Sequence, residues 1–165
     1  MSCLAKMSTR AIKKAAYEML IKQAVALLED EPDGLANYAN ASSLLSQFLS
    51  EVNWVGFYFF KNGELVLGPF QGLPACTRIP LGKGVCGTAV LENKTMRIAD
   101  VHAFPGHIAC DAASNSEIVI PVRKEDDVIA VLDIDSPVKK SFLERRSVLS
   151  RRICSNNCSL PSKIG

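Results

Sequence analysis

The chain has 165 residues, 48% of them hydrophobic and 22% charged, with a formal net charge of +2; this is enough apolar material for one buried core and excludes a disordered chain. No apolar run approaches the roughly 20 residues of a membrane helix and no compact apolar leader precedes a small-residue cleavage site, so a cytoplasmic protein that stays off the membrane is expected. Residues 139–165 carry seven Lys or Arg against one acid, which leaves the rest with twelve basic and sixteen acidic side chains; such a body has no reason to attract nucleic acid, and the basic end reads as a solvated tail.

Lys6, Arg10, Lys13 and Lys14 precede the first acid, Glu18, which leaves an organelle-targeting leader as the alternative to a plain flexible N-terminus over residues 1–9. From Ile12 to Leu28, Ile12, Ala15, Ala16, Met19, Leu20, Val25, Ala26 and Leu27 recur near helical spacing and "EDEPDG" supplies a stop, predicting a first helix. A second helix is expected over about 35–49, with Leu35, Tyr38, Leu45, Phe48 and Leu49 inward. The period then changes: "WVGFYFF" and "ELVLGPF" flank the turn signal "KNGE", which predicts a β-hairpin. After a glycine-rich, cysteine-containing segment, "VCGTAVLEN" suits a short helix, "TMRIADV" a strand and "HAFPGHIACDAASNS" a loop. "EIVIPV" and "VIAVLDID" are two further strands around the charged turn "RKEDD". Strands grouped between helices, rather than alternating with them, indicate an α+β domain: a central antiparallel sheet of about six strands with the N-terminal helices packed on one face.

Six cysteines, Cys3, Cys76, Cys86, Cys110, Cys154 and Cys158, would suggest a disulfide framework in a small secreted protein; in a chain with its own core, free, catalytic or metal-binding thiols are expected instead. Cys76, Cys86 and Cys110 fall in loops or at element ends rather than inside periodic segments, where purely packing cysteines belong. His102, His107 and Cys110 form an H-x4-H-x2-C pattern, yet structural zinc uses tight paired spacings that this chain lacks, and His107 could equally raise the thiolate fraction of Cys110. "GKGVCG" imitates a dinucleotide-binding fingerprint, which works only inside a parallel βαβ unit; its neighbours here read as hairpins.

Asp133 and Asp135 occupy alternate positions at the end of an apolar strand, so both point to one face, and Glu117 opens the strand expected to pair with it. Three converging carboxylates raise at least one pKa, leaving a protonated acid as a hydrogen-bond donor, and they attract an ammonium group. The plainer alternative is an exposed hairpin end, where acids are ordinary.

The segments "NWVGFY", "LGPFQG", "ACTRIPLGKGVCG", "HIACDAASNSEIVIPV" and "VLDIDSP", with three cysteines separated by 10 and then 24 residues, make residues 10–138 resemble a GAF domain, and specifically the free methionine-(R)-sulfoxide reductase family. The resemblance implies a single GAF domain over residues 10–153 that reduces free methionine R-sulfoxide without metal or organic cofactor. It implies Cys110 as nucleophile, Cys76 as main resolving cysteine, and Cys86 as a third redox partner or pocket residue. Glu117, Asp133 and Asp135 would bind the sulfoxide and amino groups, and Trp54 and Tyr58 would wall the pocket around the S-methyl group. It further implies a cysteine sulfenic acid, an intramolecular disulfide, recycling by thioredoxin, and a homodimer. Cys76 and Cys86 would ride one mobile glycine-rich loop that approaches oxidised Cys110. The rival reading is a GAF sensor that binds a small ligand without turnover. The chain departs from the family after "DSPVKKSF": a helix over Ser141–Ile153 is expected, with Phe142, Leu143, Val148, Leu149 and Ile153 apolar, and residues 154–165, with Cys154 and Cys158, as a disordered basic tail.

Overall fold

The computed structural model describes residues 9–106, 108 and 111–142. Two helices, α1 (Thr9–Leu28) and α2 (Gly34–Phe48), precede the hairpin of β1 (Trp54–Lys61) and β2 (Glu64–Gln71); β3 (Arg78–Pro80), α3 (Gly84–Leu91) and β4 (Met96–Ile98) follow, then β5 (Ser116–Lys124) and β6 (Asp127–Ser136). The six strands form one sheet in the order β3-β2-β1-β6-β5-β4, and every paired ladder is antiparallel. This is the α+β architecture expected, and it leaves "GKGVCG" without the parallel unit that a dinucleotide fingerprint requires. The expected hairpin turn is present, with Asn62 at φ 52° and Gly63 at φ 86°, the left-handed pair of a two-residue connection whose twist matches the strands.

The two faces of the sheet have different cores. Val55, Phe57 and Phe59 of β1, Ile118, Ile120 and Val122 of β5, and Leu132 and Ile134 of β6 face α1 and α2. Tyr38 of α2 sits edge-on between Phe57 and Phe59, 4.8 Å from each ring centre. Asp33 caps α2 by accepting from the Ala36 N–H at 2.9 Å, the role for which a short acidic side chain is favoured at a helix start. The opposite face carries Trp54, Tyr58, Val119 and Val131 beneath Val85, Cys86 and Ala89 of α3. Because β3 and β4 are the two edge strands, the chain between them runs α3 across this second face, over the central strands.

Two expectations need correction, and the buried side of α1 emerges only in the structure. The buried side of α1 is Leu20, Ala24 and Leu28, with Tyr17 and Ile21 half-buried, while Ala15, Ala16, Met19, Val25, Ala26 and Leu27 are exposed. Alanine-rich apolar spacing fits more than one helix face. On α2, Leu35, expected inward, lies in the first turn and is exposed. Cys76 and Cys86 do not share one glycine-rich loop: β3 and the start of α3 separate them, and Cys86 is only 4% exposed. The expected helix over Ser141–Ile153 lies outside the described residues except for Ser141 and Phe142, which form a turn, and the 154–165 tail and Cys3 lie outside them altogether.

Candidate active site

The period of two along each strand sets the site on the face under α3. Trp54, Gly56 and Tyr58 project there from β1, Asp133 and Asp135 from β6, and Glu117 from β5. Register aligns them: Trp54 stands opposite Asp135 and Gly56 opposite Asp133, while Glu117 stands opposite Asp135 on the other side. Trp54, Asp135 and Glu117 therefore form a row across three strands, with Asp133 in the next row. Gly56 is required by close approach, since a Cβ there would lie 2.3 Å from the Phe70 Cβ and 2.7 Å from Trp54 Cη2. The missing side chain lets the Trp54 ring stack on Phe70, with 5.3 Å between ring centres, and on Tyr58, with 5.8 Å.

Trp54, Tyr58, Glu117, Asp133 and Asp135 line one open cleft. All three carboxylates, both aromatics and Cys86 contribute to its wall. Cys86 projects from the first turn of α3, its Sγ 4.0 Å from Glu117 Oε1. Cys76 is half-buried beside the cleft, where Pro74 and Ala75 reach the wall. The segment bearing it is tied to the sheet by the same two aromatics: the Trp54 indole N–H donates to the Leu73 carbonyl at 3.1 Å, and the Tyr58 hydroxyl donates to the Cys76 carbonyl at 3.0 Å. Cys110 and His107 lie outside the described residues. The residues that border this gap, Ile108 and Asp111, both line the cleft. His102 is exposed on a short 3₁₀ turn over Val101–Ala103.

Burying three acids together sets their chemistry. Burial first, then the charges of Asp133 and Asp135, holds the Glu117 carboxyl well above the ordinary carboxylate range. Burial, then Asp133 and Asp111, does the same for Asp135 against a smaller opposing hydrogen bond from Ser114. Asp133 is pushed up to about 7 by burial, with Cys86, Glu117 and the Ile134 N–H acting in the opposite direction. Burial also pushes the Cys86 thiol well above its usual range, with Asp133 and Glu117 adding to the effect. Near neutral pH the cleft therefore holds its acids partly protonated and Cys86 as a thiol, an arrangement suited to donating protons and unsuited to a Cys86 thiolate.

A GAF domain model matches residues 9–155. The chain is 64% identical over 134 residues to protein YtsP of Bacillus subtilis, covering 80% of this chain and 82% of that protein. It is 55% identical over 128 residues to the free methionine-R-sulfoxide reductase of Escherichia coli, covering 78% of each. Among solved structures, the fRMsr of Staphylococcus aureus in complex with its substrate superposes with a TM-score of 0.80 at 53% identity, covering 84% of this chain and 90% of that one. The chain belongs to the GAF-domain free methionine-R-sulfoxide reductase family.

In this member of the family, sequence reasoning placed Glu117, Asp133, Asp135, Trp54, Tyr58 and Cys86 in one site, and the structure brings them together. It passed over Asn53, Asp111 and Ser114. The Asn53 side-chain amide donates to Asp111 Oδ2 at 2.8 Å and to Ser114 Oγ at 2.9 Å, and its backbone N–H donates to the Asp135 carbonyl at 3.1 Å. Asn53 thus clamps the segment that follows Cys110 to the end of β6. The available signal was an amide immediately before an aromatic strand, "NWVGFY", paired with an acid immediately after a cysteine.

Proposed function

We propose that this chain reduces free methionine R-sulfoxide to methionine by thiol chemistry. The observation that carries this reading is one cleft in which three protonatable carboxyls meet an aromatic wall, with Ile108 and Asp111 also in its lining. Relatives named free methionine-R-sulfoxide reductase at 55% and 39% identity support it.

In this reading Trp54 and Tyr58 enclose the S-methyl end, Asp133 and Asp135 receive the α-ammonium group, and Glu117 stands at the sulfoxide oxygen. The Cys110 thiolate attacks sulfur, a proton from Glu117 goes to the oxygen, and the oxygen transfers to the cysteine. Thiolate, sulfoxide and one proton become methionine and a cysteine sulfenic acid. The sulfenic acid condenses with the Cys76 thiol, forming a disulfide and releasing water; a dithiol protein of the thioredoxin type then reduces the disulfide by exchange. Of the two parts open to Cys86, pocket residue fits its burial better than redox partner. The same reading takes the protein as cytoplasmic, and as a homodimer, for which the exposed Met19 and Leu27 of α1 offer apolar surface.

The deciding experiment compares free R-sulfoxide, free S-sulfoxide and an N-acetylated, C-amidated R-sulfoxide under a thioredoxin system. Only free R-sulfoxide is expected to turn over. A blocked substrate lacks the ammonium, which would leave a buried carboxylate unpaired at a cost of about 1–3 kcal/mol or more, so its kcat/KM should fall by a factor of at least about 10–100. Comparable rates on the blocked substrate would move the protein to the peptide-repair class; binding without methionine formation would make it a ligand sensor.

Asn53→Ala tests the clamp. Removing both side-chain hydrogen bonds frees Asp111 and Ser114, in the segment that follows Cys110, while sparing every group that would hold the amino acid. We expect kcat to fall about tenfold or more with KM changed by less than threefold, and stability to drop by about 1–2 kcal/mol. A rise in KM with kcat unchanged would place Asn53 in binding instead.

A further inference from the structure

The floor of the cleft holds a group of atoms whose arrangement goes beyond the needs of sulfoxide reduction. The Sγ of Cys86 and one carboxylate oxygen each of Glu117 and Asp133 lie within 4.8 Å of one another. They come from α3, β5 and β6, and packing fixes them: Glu117 is 5% exposed and Asp133 7%. Independently, Asp133 Oδ1 is buried with no hydrogen-bond partner among the described residues, on a side chain that lines the cleft. An acceptor so placed lacks a bond that a ligand in the cleft could supply.

One sulfur with two carboxylate oxygens is a selective donor set. Magnesium and calcium demand six or more oxygens, whereas thiolate selects borderline and soft cations. Zinc takes sulfur at about 2.3 Å and carboxylate oxygen at about 2.0–2.2 Å, so three tetrahedral ligands of this kind stand roughly 3.3–3.7 Å apart. Side-chain rotations on the order of 1 Å would close the present set to that spacing, and the open fourth position faces the cleft.

We propose that Cys86, Glu117 and Asp133 capture one thiophilic divalent cation of the zinc type, and that this cation and the amino-acid substrate exclude each other. The capture stands without the reductase reading; the exclusion rests on it, because the ammonium and the metal would both claim Asp133. No electrons move. The ligands release their protons to solvent as the metal bonds form and recover them when the cation leaves. Free zinc then becomes an inhibitor that acts by occupying the substrate's acids, and metal removal restores activity.

Cobalt(II) serves as the probe on the full, reduced, metal-free chain. The first equivalent is expected to produce a thiolate-to-cobalt absorption band that one equivalent of zinc abolishes. Cys86→Ser should remove that band, and Asp133→Asn should weaken cobalt binding at least tenfold; Asp133→Asn keeps the test decisive if the serine variant does not fold. An unchanged band in a folded Cys86→Ser chain, or unchanged cobalt affinity in Asp133→Asn, places the metal elsewhere and overturns the capture. In a Cys110→Ser chain, which cannot consume it in this reading, free methionine R-sulfoxide should weaken cobalt binding in proportion to its concentration. Capture with no such competition overturns the exclusion alone, while turnover by the metal-free wild type tests the reductase reading separately.

Discussion

Cys110→Ser is expected to abolish methionine formation, lowering kcat by a factor of about 10³ or more, because among the described residues no group lining the cleft offers a thiolate at neutral pH. Cys86 lines the cleft, and burial, then the acids around it, hold its thiol protonated. Cys76→Ser should behave differently: one equivalent of methionine appears, turnover stops, and a sulfenic acid can be trapped, since reduction needs only the nucleophile and recycling needs the second thiol. Cys86→Ser should still recycle with thioredoxin, at reduced kcat/KM. Rapid-quench measurement of methionine per chain separates the three. Normal recycling by Cys76→Ser would transfer the resolving role to Cys86 and require its helix turn to open during the cycle.

Asp133→Asn should cost activity and add stability. Its carboxyl has a folded-state pKa raised to about 7 by burial, against about 3.9 in an unfolded chain. Below pH about 4 both states hold the proton and Asp133 carries no electrostatic penalty. As pH rises from about 4 to about 7 the unfolded chain releases its proton first. Stability falls across that window, by on the order of 4 kcal/mol for a group acting alone. Glu117 and Asp135, also raised, extend the decline in the same direction. An uncharged asparagine avoids the penalty, so urea unfolding at pH 8 should find the variant more stable by about 1–3 kcal/mol, with the difference shrinking toward pH 4. Its kcat/KM for free R-sulfoxide should drop about a hundredfold or more, because a buried charge pair with the ammonium is lost. A variant less stable than wild type at pH 8 would show that Asp133 is held ionised by a partner instead.

The sheet was legible because strand period is short and its markers are local. The "KNGE" turn announced the hairpin, and alternate acids in "VLDID" placed Asp133 and Asp135 on one face before any pairing was known. The two strands are expected to be neighbours, but the register that sets Glu117 opposite Asp135 depends on an irregularity between Val122 and Arg123 that no local marker announces. The buried side of α1 was not legible: with alanines all around, its apolar pattern has no unique direction, and only the neighbouring helix decides between Leu20 and Met19. The Asn53 clamp was hidden for a different reason. Its partners Asp111 and Ser114 lie about sixty residues away, and an amide before a strand has no periodicity to betray it. Cys86 shows both outcomes, since "VCGTAVLEN" announces the short helix that carries it, while the glycines around it suggest a mobile loop shared with Cys76 that the structure does not have.

The stacked aromatic at the start of β1 has an optical consequence. Trp54 is the single tryptophan of the chain, and it is buried, stacked between Phe70 and Tyr58, and bonded through its indole N–H to the segment leading to Cys76. All of the molecule's indole emission thus originates in the wall of the cleft. Entry of a ligand, departure of the Cys76 segment, or solvent reaching the ring would each change the polarity around this one fluorophore. The unlabelled protein carries its own probe, and stopped-flow fluorescence can time occupancy of the cleft and release of the cysteine segment in a single trace, with no background from tryptophans elsewhere.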